Sequence, residues 1–233
     1  MDYEFMYDLF FKVIEGIPVT LSITLISMVI SIPIAFFFAY LFLDRSFRYR
    51  KIISIYVSFV RGTPVILQIL IIYSLMPSLL NIIVINLGLN INVFEINPIY
   101  YAYIIFTINT TAILIEVFRS GIGSVSDEQL EAGLSIGMSK FLVYKRIIIP
   151  QVFVNTMPNL CNTTINLVKS TSLAFAMTVQ DITAIAKIEA SYGYNYIEAY
   201  LVIYLIYIII CTLIQFGFSL LEKNIGAYRK ISS

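Results

Sequence analysis

Residues 131–150 read EAGLSIGMSKFLVYKRIIIP, and this stretch decides how the rest of the chain is arranged. It is the longest polar-studded connection between two apolar runs. Glu131, Ala132 and Gly133 open it small and acidic. Gly137 follows, where the chain can turn in a way that a residue with a Cβ resists. Phe141, Tyr144 and Ile148 then recur at helical spacing, with Lys140, Lys145 and Arg146 between them. Pro150 suits a helix start, because its missing N–H is one the first turn leaves unpaired. The stretch reads as a short helix, a glycine turn and a second short helix that leads into an apolar run.

Composition says what that run is. Apolar residues make up 59% of the 233 residues and charged ones 12%, against about 25% charged in soluble domains. The chain is therefore expected to be an all-α integral membrane protein forming one domain over residues 1–233. Histidine is absent, which removes the commonest metal ligand and general base. The two cysteines, Cys161 and Cys211, lie apart in apolar runs, so neither a disulfide framework nor a thiolate metal site is expected. A net charge of +1 gives no reason to expect nucleic acid. There is no phosphate-binding G-x-x-x-x-G-K-[ST] sequence, so ATP must be hydrolysed elsewhere if it is used. Met1–Glu15 carries Asp2, Glu4, Asp8 and Glu15 against Lys12, unlike the basic start of a cleaved signal.

Five apolar runs are long enough to cross a bilayer, which takes about 20 residues. They are Ile17–Leu43, about Ile52–Met76, about Pro98–Val117, a fourth from about Gln151, and Ala199–Leu221. Residues 1–16 make an amphipathic lead-in suited to the interface, with Phe5, Leu9, Phe10 and Val13 roughly on one face. Residues 77–97 and 180–198 read as outer connections. Lys and Arg concentrate in three places: residues 44–51, residues 119–149 and the tail from Lys223. Basic short loops stay in the cytoplasm, so the N-terminus is expected outside and the C-terminus inside.

The fourth run carries the most informative polar residues. Asn155, Asn159, Asn162, Asn166 and Lys169 fall at steps of four, three, four and three, one continuous helix face, with Ser170 and Ser172 just beyond. Unsatisfied polar groups in lipid cost several kcal/mol each, so this face must meet protein or water. It is either a substrate pathway or interhelical hydrogen-bond glue, at about 0.6–2 kcal/mol per contact. In the third run Asn109 and Glu116 share a face beside Thr110, and they join the candidate pathway. Glu116 can instead pair with Arg119 three residues on. Arg61 is either a snorkelling anchor or a packing residue, and Gly62-Thr63-Pro64 beside it should bend the second run.

The 131–150 stretch resembles the EAA loop of permease subunits of ATP-binding-cassette (ABC) importers. Glu131, Ala132, Gly137, Ile147, Ile149 and Pro150 fall on that family's spacing, and Gly133 replaces its second alanine. Arg61-Gly62-Thr63-Pro64 with Gln68 resembles the signature of polar-amino-acid permeases. Glu116, Arg119 and Gly121 resemble its Glu-x-x-Arg-x-Gly, and Lys169–Leu173 its Lys-x-Thr-Ser-Leu. Leu173-Ala174-Phe175 is most similar to members that carry cystine and related sulfur amino acids; basic amino acids and glutamine are the alternatives. The resemblance implies a type I importer permease fold of five membrane helices, with residues of about 120–150 as the cytoplasmic coupling loop. It implies that Glu131, Ala132, Gly133, Gly137, Phe141, Ile147 and Pro150 form the coupling helix docked on the ATPase. It also implies two cytoplasmic ABC ATPase subunits holding ATP and Mg, a second permease subunit, an extracytoplasmic solute-binding protein and a multi-pass place in a bacterial-type cell membrane. No cofactor or metal is expected in this chain, and no catalysis. A non-transporting scaffold or a membrane enzyme is the reading from another class. The enzyme lacks a catalytic constellation, and the polar face of the fourth run speaks against the scaffold.

Overall fold

The computed structural model describes residues 1–42, 48 and 50–226, with side chains through Lys223. These residues are helical almost throughout and include no strand. Leu43, Asp44, Arg45, Arg229 and Lys230, which entered the expected span end and the basic loop and tail, lie outside them.

Capping residues set the helix starts. Asp2 accepts from the Phe5 N–H at 3.0 Å and opens α1 (Tyr3–Ile14). Pro18 lies in the first turn of α2 (Ile17–Leu41). Helix α3 (Arg50–Gly62) ends at the expected weak point, where Thr63 and Pro64 separate it from α4 (Val65–Asn86). Asn97 caps α5 (Pro98–Gly123) through the Ile99 N–H at 3.0 Å, with Pro98 at the first helical position.

The second run is therefore two helices, and α4 continues ten residues past the expected end at Met76. Pro77 lies inside it. In a bilayer the backbone after Pro77 would find no partner outside the helix, so intrahelical bonds outweigh the one bond that proline removes. Helix α5 likewise runs past Val117 to Gly123, and the expected outer connection of 77–97 shrinks to the piece after Asn86.

Helices α2 and α5 form the centre. Thr20, Thr24, Ser27 and Ser31 put a small-residue face of α2 against α5, which lets the backbones approach closely. The Ser31 hydroxyl donates to the Thr107 carbonyl at 3.0 Å. Phe36, Phe118 and Phe153 lock α2, α5 and α8 (Ile149–Ser170) together, with ring centroids 5.4–5.9 Å apart.

A second apolar cluster joins α1, α9 (Ile182–Gly193) and α10 (Tyr196–Gly226) through Leu9, Val13, Ile182, Ala186, Ala199 and Val202. Helix α9 replaces the loop expected at 180–198. Asp181 starts it, accepting from the Ala184 N–H at 2.8 Å while fully buried. Lys12 pairs with Glu189 at 2.8 Å, and the N-terminal ammonium lies 3.9 Å from Glu198. Gly16 abuts the α9 start so closely that a Cβ there would stand 2.5 Å from the Ile182 nitrogen. The lead-in helix is thus clamped to residues 181–198.

Among the described residues, four segments are long and apolar enough to cross a membrane: Tyr3–Leu41, Val65–Asn86, Pro98–Gly123 and Tyr196–Lys223. Helix α8 is not among them, because the asparagine face lowers its mean hydropathy.

Candidate functional site

The coupling stretch folds as two short helices about a glycine. Ser126 caps α6 (Asp127–Ser135) through the Glu128 N–H at 3.2 Å. Gly137 then takes φ +83°. Its N–H donates to the Leu134 carbonyl at 3.0 Å, and the Met138 N–H donates to that of Gly133 at 3.1 Å. This is a Schellman cap, which needs a left-handed residue just past the helix end. Ser139 opens α7 (Lys140–Val143) by accepting from the Leu142 N–H at 3.4 Å.

Pro150 falls in the first turn of α8 as expected, but no loop separates that helix from α7. The chain passes through one π turn, Tyr144–Ile148, directly into α8. The Ile149 N–H reaches back five residues to the Tyr144 carbonyl. The wider turn ends just before Pro150, which has no N–H to continue the helical ladder. Tyr144 packs edge-on to Tyr40 at 5.6 Å. Burial, then Tyr40 and Asp127, push its phenol above the ordinary value, so it stays neutral.

The loop's surface is unusually apolar. Leu134, Ile136 and Phe141 are 44%, 77% and 73% exposed, beside exposed Glu131 and Ala132. Pro150 is exposed and Ile147 half-buried. Gly133 is buried, and a Cβ there would stand 2.6 Å from a methyl of Val143. Glycine in place of the family's second alanine thus fits the valine opposite.

The Asn face of α8 lies on the outside of the single chain. Asn155, Asn159, Asn162, Asn166 and Lys169 are all exposed, while Thr156, Leu160, Thr164 and Leu167 pack inward. Asn155 donates to the Ser124 hydroxyl at 3.0 Å. The hydroxyls of Ser170 and Ser172 donate to the carbonyls of Asn166 and Lys169 at 2.8 and 2.7 Å. Lys169 lies in the last turn of α8, before a 3₁₀ segment, Thr171–Met177, that ends with Thr178 at φ +60°.

The α5 candidates are placed elsewhere. Asn109 is buried and donates to the Gln68 side-chain oxygen at 3.2 Å. The Gln68 amide nitrogen stands 2.8 Å from the Val60 carbonyl, 2.8 Å from the Thr63 hydroxyl and 3.1 Å from the Thr63 carbonyl. Gln68 therefore satisfies carbonyls that the break at Thr63-Pro64 strips of helical partners, and Asn109 holds it there. Thr110 is buried in the same helix. Glu116 is engaged by Arg119 at 2.6 Å, with Arg61 at 3.9 Å, so Arg61 joins α3 to α5. Gly62 is exposed beside it. Among the described residues no group of three or more His, Cys, Asp or Glu could hold a metal.

The capped Asp181 and the Gln68–Asn109 lock are what sequence reasoning missed. Asp181 followed by Ile-Thr-Ala is a cap signal that could have marked α9. No local signal joins Gln68 to a residue forty-one positions away.

Comparison with known proteins agrees on one family. Residues 31–226 match the model of the binding-protein-dependent transport system inner membrane component. The chain is 34% identical over 207 residues to a probable amino-acid permease protein, YxeN, of Bacillus subtilis, covering 89% of this chain and 88% of that one. It is 31% identical to the L-cystine transport system permease protein TcyL of the same organism, covering 90% and 85%. It is also 31% identical to a putative glutamine transport system permease protein, GlnP, of Rickettsia conorii, covering 94% of each. Among solved structures, an amino acid ABC transporter crystallised with histidines superposes with a TM-score of 0.79 at 28% identity, covering 96% of this chain and 99% of that one. An inward-facing MetNI methionine transporter shares the fold at 0.73 and 16%, covering 97% and 99%.

Proposed function

The chain belongs to the binding-protein-dependent transport system inner membrane components, and from that premise we propose that it carries a polar amino acid inward, with cystine as first choice. It is a multi-pass permease subunit of an ABC importer, and ATP hydrolysis belongs to another subunit. Residues 1–233 act as one transmembrane domain. Five helices cross: α2, α4, α5, α8 and α10, with the N-terminus outside and the coupling loop and tail in the cytoplasm. The pairs from Lys12 and the N-terminus to Glu189 and Glu198 support this, because they keep residues 1–12 and 189–198 on one side.

The observation that carries the reading is the coupling loop itself. A Schellman turn at Gly137 fixes two short helices that hold Leu134, Ile136 and Phe141 out into solvent. Exposed apolar side chains grouped in this way mark an interaction site. The occupant is the ABC ATPase, which carries ATP and Mg, with Glu131 and Ala132 at the same contact. A second permease subunit covers the asparagine face of α8, and a solute-binding protein delivers substrate from outside. ATP-driven closure of the ATPases moves the loops and exposes the path alternately to each side.

The path is lined by Asn155, Asn159, Asn162, Asn166 and Lys169. Carboxamides give and accept hydrogen bonds, and Lys169 can meet a substrate carboxylate, replacing water that is stripped away. Asn109 and Glu116 are left out of it, because Gln68 and the two arginines occupy them. Cystine comes first because Leu173-Ala174-Phe175 resembles cystine permeases and the TcyL permease is a relative. Competition of labelled cystine uptake by arginine, glutamine and histidine tests the choice. Strong cystine uptake, displaced weakly by the other three, is expected. If cystine is not taken up while one of the others is, the choice of cystine is wrong.

A further inference from the structure

A polar cavity of ≈ 430 Å³ lies where α5, α8 and α10 meet at their coupling-loop ends. Small-molecule pockets span about 300–1,000 Å³. Its lining includes Ser124, Val154, Asn155, Asn159 and Glu222. Several unpaired hydrogen-bond acceptors and one carboxylate line it. Pro158 removes the helical donor for the Val154 carbonyl, and both residues line the cavity. Asn155 gives one of its two side-chain N–H groups to Ser124 and keeps its side-chain oxygen free, and Ser124 spends its proton on the Gly121 carbonyl at 2.7 Å. The Glu222 carboxylate completes a site suited to a cation.

The opposite end of the same α8 face carries Lys169. Fourteen residues of helix separate Asn155 from Lys169, roughly 21 Å at 1.5 Å per residue. The α8 face thus carries a cation toward one end, and at its other end a carboxylate of α10 stands beside it.

We infer that the Glu222 cavity is the last station of the path, which holds the substrate's ammonium group as it leaves toward the cytoplasm. The inference rests on the transport reading above. A zwitterion meets Lys169 with its carboxylate first and is handed to Glu222 by its ammonium. The asparagines between supply neutral, exchangeable hydrogen bonds.

The test uses the full assembly of permease, ATPase and binding protein, in a Cys161→Ser, Cys211→Ser background. Uptake by that assembly is measured first; if it imports no amino acid, the transport reading fails and the cavity is not the reason. Ser120→Cys then reports on the cavity from the cytoplasmic side of inside-out vesicles, because Ser120 lines it. The probes are a trimethylammonium and a sulfonate methanethiosulfonate. The cationic reagent should react about tenfold faster relative to its rate with a free thiol, as one nearby charge in a partly desolvated site gives. Glu222→Gln should abolish the preference and slow uptake several-fold, and Glu222→Asp should keep both. Equal normalised rates in the parent, or unchanged uptake in Glu222→Gln, would overturn the assignment.

Discussion

Gly137→Val should stop substrate uptake and substrate-stimulated ATP hydrolysis while the chain still inserts and accumulates in the membrane. Nothing lies within 4 Å of where a Cβ would sit, so no neighbour is hit. The cost arises in the backbone. At φ +83° an L-residue is strained by about 1–2 kcal/mol, and a β-branched one by more. The loop escapes that strain by opening its turn, which releases the bonds from Gly137 to Leu134 and from Met138 to Gly133. Leu134, Ile136 and Phe141 then leave their fixed arrangement. The spans make none of these bonds, so thermal unfolding of the solubilised chain should shift little. Normal substrate-stimulated ATPase activity in this variant would contradict the role given to the turn.

Gln68→Leu should have the largest effect on folding. The side chain is buried and bonds to Val60, Thr63 and Asn109. Its loss strands two carbonyls at the α3–α4 break and the Asn109 amide. A buried polar group left unsatisfied costs about 1–3 kcal/mol, so the sum is several kcal/mol, against total stabilities of about 5–15 for ordinary domains. Membrane accumulation should collapse or the melting temperature fall by many degrees. Gln68→Leu with Asn109→Leu should recover part of the loss, because the stranded amide is gone while the two carbonyls remain unpaired. A single variant that melts like the parent would show that the break is satisfied in another way.

What could be read from sequence followed from local chemistry. Gly137 was legible because a tight turn between amphipathic pieces requires it. The weak point at Gly62-Thr63-Pro64 was legible because proline cannot continue a helix, and the spans because lipid demands length. What failed was nonlocal or context-dependent. Asn109 and Glu116 share a helix face, which suggested one role; Glu116 instead takes the expected local pair with Arg119, whereas the partner of Asn109, Gln68, comes from another helix. The second run was expected to end at Met76, yet α4 stays helical through Pro77 to Asn86, since one proline removes only one bond of the ladder. Residues 180–198 looked like a loop because their charges hid an alanine-rich face that packs on α1 and α10. Pro150 does lie in the first turn of α8, but the π turn that joins α8 to the coupling helix cannot be foreseen from spacing.

As a permease subunit of an amino-acid ABC importer, this chain should form an ATP-driven inward path for its substrate. Uptake by proteoliposomes containing this permease, its ATPase and its binding protein tests it most directly, with ATP supplied on the coupling-loop side. A polar amino acid should accumulate above its external concentration only when ATP and the binding protein are both present, and Lys169→Met should lower the rate. Amino-acid entry that merely equilibrates without ATP, or no entry of any polar amino acid by the complete assembly, would contradict it.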